Sequence, residues 1–456
     1  MNLARMLKAR ASVNNPVRVG LIGAGKFGSM FLSQVRTTPG LHLLGIADLS
    51  KERAKAALTR TGWDAGAAMA GSFDEALRSG RTMITEDADA LISAGGLDVV
   101  VEATGNPAAG ARHALTAIAN GRHIVMVTVE ADVLVGPLLA ARAKAAGVVY
   151  SMAYGDQPAL VCDMVDWAEA CGFRVVAAGK GTKYLPAYHR STPDTIWDFY
   201  GLTAEEAALG GMNAQMFNSF ADGTKSSIEM AAIANATGLE APSDGLLFPP
   251  CGVDDLATIL RPRAHGGVLE RAGMVETISS LERDGRPVFR DLRWGVYVVF
   301  EADEAPSGDY ARRCFKEYGV LTDGSGRYTA LYRPYHMIGL ELGVSVAAAA
   351  LRHEPTGVAE HFNADVVAVA KRDLKAGETL DGEGGFTVWG KLFPAATSLG
   401  RGGLPIGLAH GVTLNRSISE GEIVGWADVA VPDNETVRLR REMERQFGGG
   451  RQAAAE

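Results

Sequence analysis

Cysteine is scarce in this chain. Cys162, Cys171, Cys251 and Cys314 are the only four in 456 residues. None forms a C-x-x-C pair and their spacing is irregular, which excludes a zinc ribbon or a disulfide framework and fits a reducing compartment. Each is expected as core filler. Long apolar runs are also missing. No uncharged stretch reaches the ~18 residues of a membrane span, and MNLARMLKARASVNN carries positive charge without a sustained apolar core. No secretory signal is therefore expected, and a cytoplasmic protein is. Positive charge is not in excess: 45 Lys and Arg stand against 53 Asp and Glu, for a formal net charge of −8. No basic stripe is present, so nucleic acid is not an expected partner. The chain has no G-x-S-x-G elbow, H-E-x-x-H helix or P-loop, which leaves simple hydrolysis and phosphoryl transfer without support.

What is present is an ordinary soluble balance, 47% hydrophobic and 21% charged, with 55 glycines. That suits a turn-rich α/β protein of two or three domains. Residues 17–30, VRVGLIGAGKFGSM, hold the most specific signal. An apolar run leads into Gly23, Gly25 and Gly28 in G-x-G-x-x-G spacing, with Lys26 and Phe27 opening a helix. Gly23 allows the turn, Gly25 lets the backbone approach a pyrophosphate, and Gly28 lets the helix pack on the sheet. A second apolar run ends at Asp48, placed to accept hydrogen bonds from an adenosine ribose. Lys51 and Arg53 follow it.

Strands are expected at 17–22, 42–48, 97–103, 122–128 and 147–152, with helices at 26–37, 51–60, 73–78, 107–120 and 133–146. This alternation predicts a Rossmann-type doubly wound parallel sheet over residues 1–157. Ligands lie beyond the carboxyl ends of such strands. Ala103, Thr104 and Gly105, then Thr128 and Glu130, are therefore cofactor candidates beside the glycine loop. Asp156 follows the last strand, and Asp132 is read as a helix cap.

An α+β region spans 158–360. Read as one helix, NAQMFNSFADGTKSSIEMAAIANATG puts Asn218, Asp222, Lys225 and Glu229 on one face at steps of four, three and four. Ser226 lies within it. Lys180 and Lys183 follow an apolar strand and offer donors to a phosphate or carboxylate. His336, in LYRPYHMIG, reads equally as a cap or a proton donor. The remaining histidines show no zinc-ligand spacing. Residues 361–435 alternate short strands with glycine turns, and RDLKAGE (372–378) and ISEGEI (418–423) repeat one pattern. Residues 436–456 are expected to be disordered.

The order glycine loop, VEATGNP, TVEAD, GDQP resembles the cofactor domain of homoserine dehydrogenases, although TVEA stands where those enzymes have TANK. GKGTKYLPAYHRSTPDT, NAQMFNSFADGTKSSIEMAAIANATGL and YRPYHMIGLE resemble the catalytic domain of the DRL family, the 1-deoxy-D-xylulose 5-phosphate reductoisomerase-like oxidoreductases. The third unit resembles a SAF domain. The resemblance implies NADPH-dependent conversion of 1-deoxy-D-xylulose 5-phosphate to 2-C-methyl-D-erythritol 4-phosphate, in isoprenoid precursor synthesis, by a homo-oligomer. NADH remains an alternative because of Asp48. It also implies Mg²⁺ or Mn²⁺ on carboxylates drawn from Glu130, Asp156, Asp222 and Glu229. Lys180, Lys183 and Lys225 would hold phosphate or developing charge, and Asn218 and Ser226 would orient hydroxyls. Two other readings stand beside it. One is an NAD(P)-dependent dehydrogenase of a small polyhydroxy acid, an aldehyde or a homoserine-like substrate. The other is a non-catalytic nucleotide sensor.

Overall fold

A computed structural model describes residues 2–209, 212–302 and 306–449. The chain divides into two compact units, Met1–Leu160 with Met337–Glu360, and Val161–His336 with His361–Glu456. No helix among the described residues is long and apolar enough to cross a membrane.

The first unit is a seven-stranded parallel sheet. Its strands are β1 Val17–Ile22, β2 Leu41–Ala47, β3 Met69–Ala70, β4 Thr82–Thr85, β5 Val99–Glu102, β6 His123–Met126 and β7 Tyr150–Met152, in the order β3-β4-β2-β1-β5-β6-β7. The continuous apolar runs seen in the sequence suit strands buried on both faces. Burial is complete along Leu21, Val99 and Val101, with Phe31, Leu32 and Val346 among the helix residues packed on them. The strand order reverses at β1, which lies between β2 and β5, the position where such folds bind ligands. Two boundaries differ from expectation in ways that matter. The helix expected at 133–146 begins at Val129, and β7 is shorter than the run 147–152.

The second unit carries a four-stranded mixed sheet, order β11-β10-β8-β9, built from β8 Arg174–Thr182, β9 Met274–Ser279, β10 Val296–Glu301 and β11 Tyr328–Arg333. The segment expected as one helix over 213–238 is two helices, Ala214–Ala221 and Thr224–Thr237. Asp222 ends the first, and Gly223 breaks the path with φ +92°. The second helix is buried around nearly its whole circumference. Small residues in AAIANA allow that close packing against β9, β12 and β14.

The C-terminal module comprises β12 Ala364–Ala370 paired with β14 Val388–Pro394, and β13 Thr379–Asp381 with β15 His410–Leu414 and β16 Val429–Ala430. The two repeats meet each other: Leu374 and Ile418 exchange backbone hydrogen bonds of 2.8 and 2.9 Å. Residues 436–447, expected to be disordered, belong to the helix Glu435–Phe447. Asn434 caps it, Leu439 and Met443 are buried one turn apart, and fully buried Arg440 pairs with Asp365 at 2.6 Å and Glu444 at 2.9 Å. Residues 450–456 lie outside the described residues. All four cysteines are free thiols, but Cys171 is exposed, so core filling describes only Cys251, whose burial pushes its thiol up to about 12.

Candidate active site

In the first unit the glycine loop has the form a pyrophosphate needs. A Cβ at Gly23 (φ +96°) would lie 2.5 Å from the Ala103 carbonyl oxygen, and one at Gly28 would overlap the Gly23 carbonyl. At Gly25 a Cβ would meet nothing within 4 Å. The turn is thus closed on its sheet side and open on the other. The helix Lys26–Val35 starts at Gly25 with no side-chain cap, which presents backbone N–H groups to an anion. These residues fit an NAD(P) pyrophosphate.

Asp48 lies at the end of β2 with its side chain buried. It accepts from the Ala24 N–H at 2.8 Å, the Ser50 N–H at 3.1 Å, and Arg53 Nε at 2.8 Å. The carboxylate expected to greet a ribose is therefore largely occupied, and a half-exposed guanidinium stands beside it.

Around the next two strand ends, the organiser is Glu102, which heads the cofactor-facing segment 102–107 but is not among the candidate binding residues. Glu102 is fully buried and accepts from Thr104 Oγ1 at 2.6 Å and Thr128 Oγ1 at 2.5 Å, with His113 Nδ1 at 3.3 Å. Thr128 in turn accepts from the Gly105 N–H at 3.0 Å. Thr104, Gly105 and Thr128 are held as one surface by this carboxylate. Its sequence signal is a charge at the last position of an apolar strand. Glu130 occupies the first turn of the Val129–Ala145 helix, and Asp156 precedes the Gln157–Ala170 helix, accepting from the Gln157 N–H at 2.9 Å. Asp132 is not a cap. It sits inside its helix against Tyr150, and burial pushes its carboxyl up to about 7.

In the second unit the expected polar face does not exist as one surface, because Gly223 divides it. Asn218, Asp222 and Glu229 are buried in two clusters. Lys180 lies within β8 rather than after it, and it pairs with Glu229. Thr277, its register partner on β9, and Ser226, one turn before Glu229, each bury a hydroxyl with no hydrogen-bond partner in the described structure. Asp222 pairs at 2.8 Å with Lys371 of the C-terminal module. Asn218 donates to the Ser191 carbonyl at 3.0 Å and the Gly384 carbonyl at 2.8 Å. Lys225 is half-buried in the first turn of its helix.

The ligand set expected for a divalent cation does not fit. Asp222 and Glu229 each already face a lysine ammonium in a buried pair. Among the described residues, no group of three or more His, Cys, Asp and Glu side chains is placed to hold a metal ion.

One end of the mixed sheet brings together residues far apart in sequence. The β8–β10 and β10–β11 pairings place the segment after Thr182, the segment before Val296 and the segment after Arg333 side by side. Lys183 donates to the Phe199 carbonyl and lies 5.9 Å from the Tyr200 ring centre. The Arg293 guanidinium is 5.8 Å from the same ring and 4.7 Å from the Trp294 ring. His336 Nδ1 hydrogen-bonds the Trp294 carbonyl at 2.8 Å. Burial, helped by Arg293, holds the Lys183 ammonium below its ordinary pKa. The sequence offers Lys183 and His336 only as separate candidates. Arg293 and Trp294, which join them, gave no local signal.

Residues 155–342 match the model of the oxidoreductase DRL catalytic domain, residues 17–127 that of the oxidoreductase family NAD-binding Rossmann fold, and residues 365–430 that of the SAF domain. The middle of the chain is similar to the DRL oxidoreductase catalytic domain, between a Rossmann domain and a SAF domain. These are the domains of an NAD(P)-dependent oxidoreductase. No curated protein matches it. Among solved structures, biliverdin reductase from Synechocystis sp. PCC 6803 is 19% identical, with 37% of this chain and 48% of that one covered and a TM-score of 0.27. A probable dehydrogenase from Thermotoga maritima is 14% identical, with 75% and 91% covered and a TM-score of 0.37. A myo-inositol dehydrogenase from Corynebacterium glutamicum is 13% identical, with 40% and 48% covered and a TM-score of 0.27. The chain spans about half the length of the first and third. Likenesses this distant carry no argument about activity.

Proposed function

We propose that this protein is an oxidoreductase of the DRL type that converts 1-deoxy-D-xylulose 5-phosphate to 2-C-methyl-D-erythritol 4-phosphate, rearranging the carbon skeleton to a branched aldehyde phosphate and reducing that aldehyde with NADPH. The observation that carries the reading is the gathering of Lys183, Arg293 and His336 at one sheet end amid Tyr200 and Trp294. In a chain of net charge −8 such a cluster supplies the local field an anionic substrate needs. Arg293 suits the phosphate, for which a guanidinium fork is well shaped. NADPH supplies the hydride. In this reading Lys183, with its lowered pKa, donates the proton that the new alkoxide takes up.

NADPH is preferred to NADH in this reading because Arg53 both occupies Asp48 and offers a cation to a 2′-phosphate. A homo-oligomer is part of the proposal: Tyr318 and Leu321 are exposed close together in the chain, the kind of apolar surface a second copy covers.

A second reading has its own support. The lysine pairing of Asp222 and Glu229 removes the carboxylates that would chelate vicinal oxygens through a metal during a rearrangement. A plain reduction of a polyhydroxy acid or aldehyde needs no such chelation. The non-catalytic sensor reading gives way to the family match.

The test is absorbance of the reduced nicotinamide with NADPH or NADH, 1-deoxy-D-xylulose 5-phosphate, and Mn²⁺ present or chelated, with product analysis. Oxidation yielding 2-C-methyl-D-erythritol 4-phosphate supports the first reading. Oxidation with sugar acids or aldehydes but not with that substrate replaces it by the second. No oxidation with any of them, while NADPH still binds, overturns both.

A further inference from the structure

A cleft of about 480 Å³ lies between the short 3-10 turn Pro186–Arg190 and the strands of the SAF domain, apart from the residues assigned to reduction. Its volume falls in the range of small-molecule pockets. Its walls include His189, Arg190, Lys371, Trp389, Lys391 and Glu420.

Some of these side chains are fixed. The His189 ring stacks on Trp389 with centres 3.9 Å apart. Its Nδ1 is bonded to the Asp222 carbonyl at 2.7 Å and its Nε2 to the Tyr184 hydroxyl at 2.8 Å. The carbonyl can only accept, so Nδ1 carries the proton and Nε2 receives the tyrosine hydroxyl. Burial holds this imidazole below its ordinary pKa, so it serves as a neutral aromatic wall. Lys371 is also committed: its ammonium serves Asp222 and the Ser191 and Gly385 carbonyls.

Arg190 and Lys391 differ. Arg190 pairs with Glu420 at 2.6 Å and Lys391 with Asp244 at 2.7 Å. Arg190 and both acids are solvent-exposed to a third or more, and pairs of this kind contribute little. A ligand dianion can therefore take both cations from their partners at small cost. Trp389 and Lys391 are two residues apart on β14 and so share a face. The cleft thus sets an aromatic wall beside two exchangeable cations.

We propose that this cleft is a second ligand site, for a small phosphorylated sugar. Arg190 and Lys391 hold the phosphate, and the apolar side of the sugar lies against Trp389. The site uses none of Lys183, Arg293 or His336, so it stands or falls independently of the reduction reading.

The test uses the full chain labelled with 5-fluorotryptophan. The Trp389 resonance is identified by its loss in Trp389→Phe, and the other resonances report the fold. Ribose 5-phosphate is titrated, with ribose and inorganic phosphate as comparison arms. The expected result is a saturable shift of the Trp389 resonance with ribose 5-phosphate. It survives Arg293→Gln and weakens about tenfold or more in Arg190→Gln/Lys391→Met, as loss of both charge-assisted contacts requires. Ribose alone should give no saturable shift. No saturable shift in the unmodified chain overturns the proposal, and so does a shift that the double substitution leaves unchanged.

Discussion

Lys371 Nζ lies 2.8 Å from Asp222 Oδ2, and both side chains are buried. The lysine comes from the SAF domain and the aspartate from the DRL catalytic region. Asp222 also accepts from the Thr224 N–H at 2.9 Å, which fixes the corner between two helices. The pair is a structural joint, and substitutions there are expected to act on stability.

Lys371→Met should destabilise the protein by about 3–5 kcal/mol, because it strands a buried carboxylate. Asp222→Asn/Lys371→Met should recover part of that loss. Urea unfolding followed by tryptophan fluorescence measures both. Equal stability of Lys371→Met and the unmodified chain would show that the pair does not bear on folding.

The coenzyme preference is expected to move with Arg53. Arg53→Gln removes the cation proposed for the 2′-phosphate and frees Asp48 for a ribose hydroxyl. NADPH should bind about tenfold more weakly and NADH no worse, a change of about 1.4 kcal/mol in preference. Titration of nicotinamide fluorescence reads this directly, and an unchanged ratio would remove Arg53 from the coenzyme site.

Lys183 should leave a mark on the pH profile. As the proton donor it must be charged, so kcat should fall as pH rises through its pKa. That limb should lie below the 10.5 of an ordinary lysine, because burial and Arg293 both disfavour the ammonium. Arg293→Gln removes the second cause and should shift the limb upward while raising KM for a phosphorylated substrate. Lys183→Met should lower kcat by ~10²-fold or more and abolish the limb. A profile identical to that of the unmodified enzyme would exclude the role.

Asp132 predicts a dependence of stability on pH. Its carboxyl rises from 3.8 to about 7 in the folded protein. Between those values the folded state holds a proton that the unfolded state has released, so stability falls as pH rises through this window. The slope is at most about 1.4 kcal/mol per pH unit for one group. Glu276, also pushed up to about 7 by burial, adds a slope of the same sign. Asp132→Asn should flatten the dependence between pH 4 and 7 without removing it. Thermal unfolding across that range is the measurement, and an unaltered slope would mean that Asp132 does not titrate there.

The Rossmann half was legible because its signals are local: apolar strands, glycines at fixed spacing and an acid at the end of the second strand. Glu102 is legible as the head of a cofactor-facing segment, but its role in collecting Thr104 and Thr128 from two strand ends is one that only pairing reveals. The face expected from Asn218 to Glu229 failed at Gly223. Helical spacing assumes an unbroken helix, and one residue at φ +92° rotates everything after it. Lys371, the counter-ion of Asp222, lies 149 positions away in the chain, where no spacing rule connects them. The glycine-rich end, GGGRQAAAE, points to disorder over 436–456, whereas the Asn434 cap and the buried pair Leu439 and Met443 mark the helix Glu435–Phe447 ahead of it.

The helix Thr224–Thr237 has a consequence for the order in which the chain can take shape. It is packed on one side by β9 and on others by β12 and β14, and the amide of Gly390 donates to its Thr224 hydroxyl. During synthesis, which proceeds from the N-terminus at about 5–20 residues per second, the helix leaves the ribosome well before those last strands exist. For that interval its apolar sides have no cover. The catalytic region can complete its core only after residue 394 has emerged, so a nascent chain halted before that point is the form most in need of a chaperone.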